Sequence, residues 1–176
     1  MLSAFKIRAW PGFCAITCRS FGAFRPRRFS EAEGIAALEV NVSCPNIKEG
    51  SKLFGTELDA FRRVLDAVRA ATLLPMIPKL APNVSDIGLF ARAAEQCGAD
   101  AISMINSVPA MAVDPETRRP RLANVTGGLT GPAIRPIAVK LVWEAARASR
   151  LPIIGMGGII ETAHAIEFLL VGATAV

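Results

Sequence analysis

Residues 35–46 read IAALEVNVSCPN, and the rest of the chain can be interpreted outward from them. The first half, residues 35–40, is an apolar run with the length and composition of a buried β-strand. The second half, residues 41–46, brings a thiol, a hydroxyl and two carboxamides to the point where that strand should end. Polar groups gathered at the end of a buried strand are typical of a functional site.

An alternation of apolar strands and amphipathic helices continues from residue 35 onward. After the first strand, the pattern predicts strands at 74–80, 101–105 and 152–154, with another beginning at 173–176. It predicts helices at 57–71, 85–97, 132–148 and 162–171. We expect Thr56 to be the N-cap of the first helix, and Gly98 and Gly172 to close the second and fourth.

Strands that are apolar throughout and separated by helices predict an α/β fold with a parallel sheet covered by helices. A doubly wound sheet and a (β/α)8 barrel both fit, and both bind ligands at the carboxyl ends of their strands.

Two segments interrupt the alternation of strands and helices. Residues 109–129 are too long for a plain connection, and a loop of that length is typically functional or disordered. Residues 1–30 show no period and predict no regular structure.

Composition excludes several classes of protein. The chain has 176 residues, 52% of them hydrophobic, and a mean hydropathy of +0.39, which suits one domain with a sizeable core. No apolar run reaches the ~18–20 residues of a membrane span. The net charge of +5 comes from residues 1–30, which hold six basic residues and no acid, so the remainder is near neutral. Neither a membrane nor a nucleic acid is therefore predicted as a partner.

The cysteines indicate a reducing compartment. Cys14, Cys18, Cys44 and Cys97 are too few for a disulfide-stapled scaffold of this length, and the alternating strands and helices suit a cytoplasmic protein. The spacing of Cys14 and Cys18 lacks a second pair of ligands, and His164 is the only histidine, so no metal site is predicted.

Four groups at the predicted strand ends could carry chemistry. Cys44 is either a small buried hydrophobe or a reactive thiol, and without a nearby histidine it suits a base better than a nucleophile. Lys79 is either a lysine at the sheet rim or a fixed positive charge facing an anionic ligand. Asn106 and Ser107 form either an ordinary turn or hydrogen bonds to a planar polar substrate.

Two glycine-rich segments precede predicted helices, residues 127–131 and 155–158. Glycines allow backbone N–H groups to approach a phosphate closely at the start of a helix. Neither segment has the dinucleotide spacing GxGxxG. Together they favour a ligand that carries a phosphate.

Five sequence segments, by their order and spacing, resemble those of the dihydroorotate dehydrogenases, flavin enzymes of pyrimidine biosynthesis. The resemblance rests on residues 39–46, 78–84, 104–107, 126–134 and 153–159, and covers residues 31–176. The loop after Asn46 is most similar to the bacterial, NAD-linked class. The resemblance implies a (β/α)8 barrel that binds FMN and oxidises dihydroorotate to orotate.

The resemblance also implies roles for individual residues. Cys44 would be the catalytic base that takes a proton from dihydroorotate, and Lys79 would stabilise the reduced flavin. The other implied FMN contacts are Asn41, Ile105, Gly131, Gly157 and Gly158. The implied substrate contacts are Asn41, Asn46, Asn106 and Ser107. A separate iron–sulfur/FAD subunit and assembly into a homo-oligomer are implied as well.

The chain departs from the family at both ends. Residues 31–176 correspond to about strands four to eight of a barrel, and residues 1–30 do not resemble the first three. We therefore expect a partial barrel preceded by a non-homologous, basic and disordered or frameshifted segment. Three alternatives remain open: an inactive or partly folded fragment of this family, a dihydropyrimidine dehydrogenase-like flavin enzyme, and an aldolase-like enzyme that uses Lys79 as a Schiff-base amine.

Overall fold

The computed structural model describes residues 5–10, 12–18, 35–42 and 55–176. Its first elements are β1 (Phe5–Trp10), β2 (Gly12–Cys18), β3 (Ile35–Asn41), α1 (Leu58–Arg69), β4 (Met76–Leu80), α2 (Ile87–Gln96) and β5 (Ile102–Met104). Four short strands follow, β6 (Val108–Ala110), β7 (Val113–Asp114), β8 (Arg119–Pro120) and β9 (Gly127–Leu129). The last elements are a 3-10 turn (Pro132–Ile134), α3 (Arg135–Ala148), β10 (Ile153–Gly155) and α4 (Thr162–Leu170).

The main sheet has six strands in the order β1-β2-β3-β4-β5-β10. All neighbouring pairs are parallel except β1 and β2, which are antiparallel. An isolated parallel bridge joins Ile154 to Ala175, where a further strand was expected to begin. With its crossover helices, this sheet confirms the predicted α/β class and is consistent with part of a (β/α)8 barrel.

The helices cover one face of the sheet and form the core with it. Along β3 to β5, alternate residues point to opposite faces, and the helix-facing set includes Val40, Met76 and Met104, all fully buried. Helix α1 presents its apolar stripe to this core, and Phe61 meets Phe90 of α2 edge to face, with ring centroids 5.3 Å apart. Such a pair adds about 0.5–1.5 kcal/mol beyond the burial of its area.

Hydrogen bonds join the amino ends of β4 and β5. The Asp100 carboxylate accepts from the Met76 N–H at 2.8 Å, and the Asp100 N–H donates to the Met76 carbonyl at 2.9 Å. Arg69 of α1 contacts the same carboxylate at 3.1 Å and also donates to the carbonyl oxygens of Thr72 and Leu74. These bonds stabilise the edge of the sheet opposite to the one where the predicted site residues lie.

The observed helix ends agree only in part with those predicted from the sequence. Gly98 and Gly172 both have positive φ, 75° and 111°, and end α2 and α4 as predicted. The prediction of Thr56 as the N-cap of α1 was wrong, because the helical backbone begins only at Leu58 and Glu57 holds the cap position. Asp86 caps α2, since its carboxylate accepts from two backbone N–H groups of the first turn.

Residues 109–129 are not the irregular loop that the sequence predicted. They form most of two small antiparallel sheets, in which β6 pairs with β9 and β7 pairs with β8. Strands of two or three residues leave almost no periodic pattern, so only their pairing across the chain reveals them. The β6–β9 pair stands directly after β5 and before α3, over the carboxyl end of the sheet.

Residues 5–18 differ from the expectation for residues 1–30. The structure forms β1 and β2 there, and β2 pairs in parallel with β3. In Phe5–Trp10, apolar and basic residues alternate over five positions, a strand pattern that the high charge of the segment obscured. Within the described parts of the chain, no helix combines the length and the apolar character needed to cross a bilayer.

Candidate active site at the carboxyl ends of the parallel strands

Three polar residues form a row across β3, β4 and β5. The parallel register pairs Asn41 with Lys79, and Lys79 with Ser103. Residues paired in this way point to the same face of a sheet, and here that face is opposite to the helices. The register thus brings Asn41 and Lys79, both predicted from the sequence, side by side.

Glu39 lies two residues before Asn41 on the same face and joins the three strands. Its Oε1 lies 3.4 Å from the Lys79 Nζ, and its Oε2 accepts from the Ser103 hydroxyl at 2.9 Å. Both partners of the ion pair are mostly buried, and Ser103 is fully buried. Sequence reasoning assigned no role to Glu39 or Ser103, although an acid within an apolar strand was a signal for a buried partner.

The carboxamides form a second contact above this row. The Asn106 Nδ2 lies 3.4 Å from the Asn41 Oδ1, and the Asn106 Oδ1 accepts from the Ser107 N–H at 2.8 Å. The Asn106 N–H also donates to the Leu80 carbonyl at the end of β4. Asn41 was predicted from the end of one strand, and Asn106 with Ser107 from the end of another; the structure brings the three residues into one cluster.

A cavity of about 410 Å³ opens over these carboxamides. One wall is the cluster of Asn41, Asn106 and Ser107, and the other is the β6–β9 segment. The lining residues from that segment are Pro109, Leu122, Ala123, Asn124, Thr126, Gly127 and Gly128. Asn124 and Thr126 were not predicted as site residues, because neither follows a predicted strand. A cavity of this size suits a small planar polar molecule.

The two glycine-rich segments meet at a second point of the same edge. A Cβ built on Gly158 would come within 2.7 Å of the Gly131 carbonyl oxygen and 2.9 Å of the Arg135 Cβ. Gly131, Gly157 and Gly158 all have positive φ, at 82°, 124° and 76°. Only glycine fits this close approach of two backbones at the start of α3. The two segments are therefore in contact, and their role in one phosphate site stays a prediction.

The remaining predicted residues fall into two groups. Cys44 and Asn46 lie outside the described residues, so their place in the site stays a prediction. Ile105 is 3% exposed and belongs to the hydrophobic core, while its N–H donates to the Met156 carbonyl at 3.2 Å. The Ile105 side chain therefore packs into the hydrophobic core, and its backbone contacts the loop after β10.

Cys97, at the C-cap of α2, has a chemistry opposite to that proposed for Cys44. Burial, and then a hydrogen bond to Asp66, raise the pKa of the Cys97 thiol from 9.0 to about 11. The neutral thiol therefore stabilises the fold below pH 9.0, and this contribution is lost as the pH rises through about 11.

We expect Cys97 to resist alkylation in the folded protein. A pKa of about 11 rather than 9.0 lowers the thiolate fraction near neutral pH about a hundredfold. The measurement is the rate of modification by iodoacetamide, followed at the Cys97 peptide by mass spectrometry, with the urea-unfolded protein as control. Equal rates in the folded and unfolded protein would contradict the assignment.

Comparison with known proteins identifies relatives of this chain. The family model described as dihydroorotate dehydrogenase matches residues 27–176. The catalytic subunit of dihydroorotate dehydrogenase B (NAD(+)) from Citrifermentans bemidjiense is 53% identical over 149 residues, which cover 85% of this chain and 49% of that protein. The protein of the same name from Trichlorobacter lovleyi is 56% identical over 142 residues, 81% of this chain and 47% of that protein.

A solved structure supports the fold independently. The crystal structure of the Eimeria tenella dihydroorotate dehydrogenase in complex with ferulenol matches with a TM-score of 0.64 and 23% identity, over 80% of this chain and 43% of that one. The chain spans about half the length of the curated relatives that it matches. With a family model over residues 27–176 and a matching barrel fold, the chain belongs to the dihydroorotate dehydrogenase family.

Proposed function

We propose that this chain serves the FMN-dependent oxidation of dihydroorotate to orotate, a step of pyrimidine biosynthesis. The observation that carries the proposal is the cluster of Asn41, Asn106 and Ser107 beside Lys79 at one edge of the sheet. The cluster offers amide and hydroxyl groups to a planar pyrimidine, and the lysine offers a positive charge beside it. The family of the chain supports the same reaction.

The described residues fit FMN in two respects. Gly131, Gly157 and Gly158 belong to two glycine-rich segments whose backbones pack together, since a Cβ on Gly158 would lie 2.7 Å from the Gly131 carbonyl oxygen. Glycine-rich backbone before a helix suits a phosphate. Asn41 on β3 and Lys79 on β4 lie side by side and would hold the flavin ring. When bound, FMN supplies the acceptor for the hydride that leaves the substrate.

Residues of the chain would accept the proton, bind the substrate and stabilise the developing negative charge. Cys44 would accept the proton from the ring carbon next to the one that loses the hydride, since a thiol can act as a base near neutral pH. Asn41, Asn46, Asn106 and Ser107 would hold the pyrimidine by hydrogen bonds. Lys79 would supply positive charge where negative charge develops.

Partners and location follow from the same proposal. The matched relatives are named as catalytic subunits of NAD-linked enzymes. We therefore propose that an iron–sulfur/FAD subunit passes electrons on to NAD⁺, that the protein works as a homo-oligomer, and that it acts in the cytoplasm.

The test is a flavin titration followed by reduction. FMN is added to the purified protein, its fluorescence quenching is recorded, and dihydroorotate is then supplied without oxygen. We expect quenching and then loss of the visible flavin absorbance. Absence of FMN binding would contradict the cofactor, and bleaching by dihydrouracil but not by dihydroorotate would instead support a dihydropyrimidine dehydrogenase-like enzyme.

A further inference from the structure

We propose that Glu39 is a positioning residue for the proposed reaction: it is the counter-ion of Lys79, and sets how much positive charge the site presents to the flavin. The inference rests on the proposed function and adds a residue to it. It starts from the 3.4 Å contact between the Glu39 Oε1 and the Lys79 Nζ.

The position of Glu39 differs from that of a surface ion-pair partner. Its side chain is 10% exposed and that of Lys79 is 18% exposed, whereas in the Lys140–Glu144 pair the two side chains are 65% and 33% exposed. Charges that are shielded from water interact more strongly than exposed ones. The Glu39 carboxylate is thus able to change the field of the Lys79 ammonium at close range.

Ser103 fixes the carboxylate in place. Its hydroxyl donates to the Glu39 Oε2 at 2.9 Å, which leaves Oε1 directed to Lys79. Because the three residues lie on three adjacent strands, the geometry is set by the sheet and not by a mobile loop. The arrangement is therefore formed before any ligand binds.

The electrostatic consequence has a definite sign. A flavin that gains two electrons becomes more negative, and a nearby positive charge favours that state. Glu39 offsets part of the charge of Lys79 and so holds the reduction potential below the value that an unpaired lysine would give. Removing the negative charge should raise the potential, whereas removing the lysine should lower it.

The first measurement needs no flavin. Lys79 and Lys140 are labelled with an acetylating reagent in the intact protein, and the rates are compared by peptide mass spectrometry. We expect Glu39→Gln to speed labelling of Lys79 about tenfold, the effect of losing one charge-assisted hydrogen bond. The matched control is Glu144→Gln, which breaks the exposed pair of Lys140 and should leave Lys79 unchanged.

The second measurement is the midpoint potential of bound FMN. We expect Glu39→Gln to raise it by about 30 mV, which is a tenfold change in the equilibrium constant of a two-electron couple. Lys79→Met should lower it. Ser103→Ala removes a buried hydrogen bond but no charge, so it should shift the potential by less than a third of this amount.

A third measurement covers the case in which Glu39→Gln folds poorly. An uncompensated buried lysine destabilises a protein more than the loss of the whole pair does. The double variant Glu39→Gln/Lys79→Met should therefore unfold at a higher denaturant concentration than Glu39→Gln alone. A double variant that is no more stable would overturn the pairing.

The outcomes separate this inference from the proposed function. Failure of the unaltered protein to bind FMN would refute the proposed function, while the labelling and stability results would still decide whether Glu39 is the counter-ion. Unchanged labelling of Lys79 in Glu39→Gln would refute the counter-ion. Faster labelling with an unchanged or lowered potential would refute its effect on the flavin.

Discussion

Replacement of Cys44 by Ser is expected to slow the reduction of bound FMN by dihydroorotate about 10²–10⁴-fold, the usual contribution of general acid–base catalysis. An ordinary thiol has a pKa of ~8.5, so a useful fraction is available as a base near neutral pH. The serine hydroxyl is a much weaker acid, and its conjugate base is almost absent at the same pH. The measurement is single-turnover bleaching of the flavin after anaerobic mixing with dihydroorotate.

The chain contains a matched control for this substitution. Cys97→Ser makes the same chemical change at a buried thiol that is already held neutral, with its pKa raised to about 11. The serine hydroxyl can donate to Asp66 as the thiol does, so we expect the bleaching rate to change less than twofold. Equal rates for Cys44→Ser and the unaltered protein would mean that another group accepts the proton.

Replacement of Gly158 by Ala is expected to weaken FMN binding about a hundredfold. The new Cβ would lie 2.7 Å from the Gly131 carbonyl oxygen, and φ at this position is 76°, which L side chains rarely adopt. The two glycine-rich segments must then move apart. Loss of one or two hydrogen bonds to a charged phosphate corresponds to about 3 kcal/mol, or two factors of ten in the dissociation constant.

Alanine substitutions at two further glycines distinguish the effect of backbone strain from the effect of a steric clash. Gly98 has φ 75°, but a Cβ there would meet only the Arg69 side chain, at 3.4 Å, so Gly98→Ala should cost about 1–2 kcal/mol of stability and leave FMN affinity unchanged. Gly131 has φ 82° with nothing within 4 Å of its Cβ, so Gly131→Ala should have an intermediate effect. FMN titrations and denaturant unfolding of the three variants measure both quantities. Unaltered FMN affinity in Gly158→Ala would exclude this loop from the phosphate site.

Local pattern was enough to predict β3, β4, β5, β10 and the four helices, and it indicated the edge of the sheet where the polar cluster lies. Lys79 is the last residue but one of β4, and Asn41 is the last residue of β3. The parallel register places these two residues together at the carboxyl ends of their strands, where α/β folds bind ligands. The helices α1 to α4 were predicted to within a few residues of their bounds, because their apolar faces repeat with the helical period.

Contacts between distant residues could not be predicted in the same way. Glu39 and Lys79 are separated by 40 residues, and only the pairing of β3 with β4 brings their side chains into contact. Gly131 and Gly158 were each recognised as loop residues, but the approach of their backbones depends on how α3 packs beside β10. The strands β6 to β9 were missed for the same reason, since each has two or three residues and depends on a distant partner.

The bonds from Asp100 and Arg69 at the amino ends of β4 and β5 have a consequence for how such a protein can diverge. They stabilise the sheet at the edge opposite to the proposed site, so the register of the strands depends less on the side chains of that site. Residues such as Asn106 and Ser107 are then able to change during evolution without loss of the scaffold. A protein with this sheet could in this way acquire new substrates through side-chain substitutions at one edge, while the contacts at the other edge keep the fold unchanged.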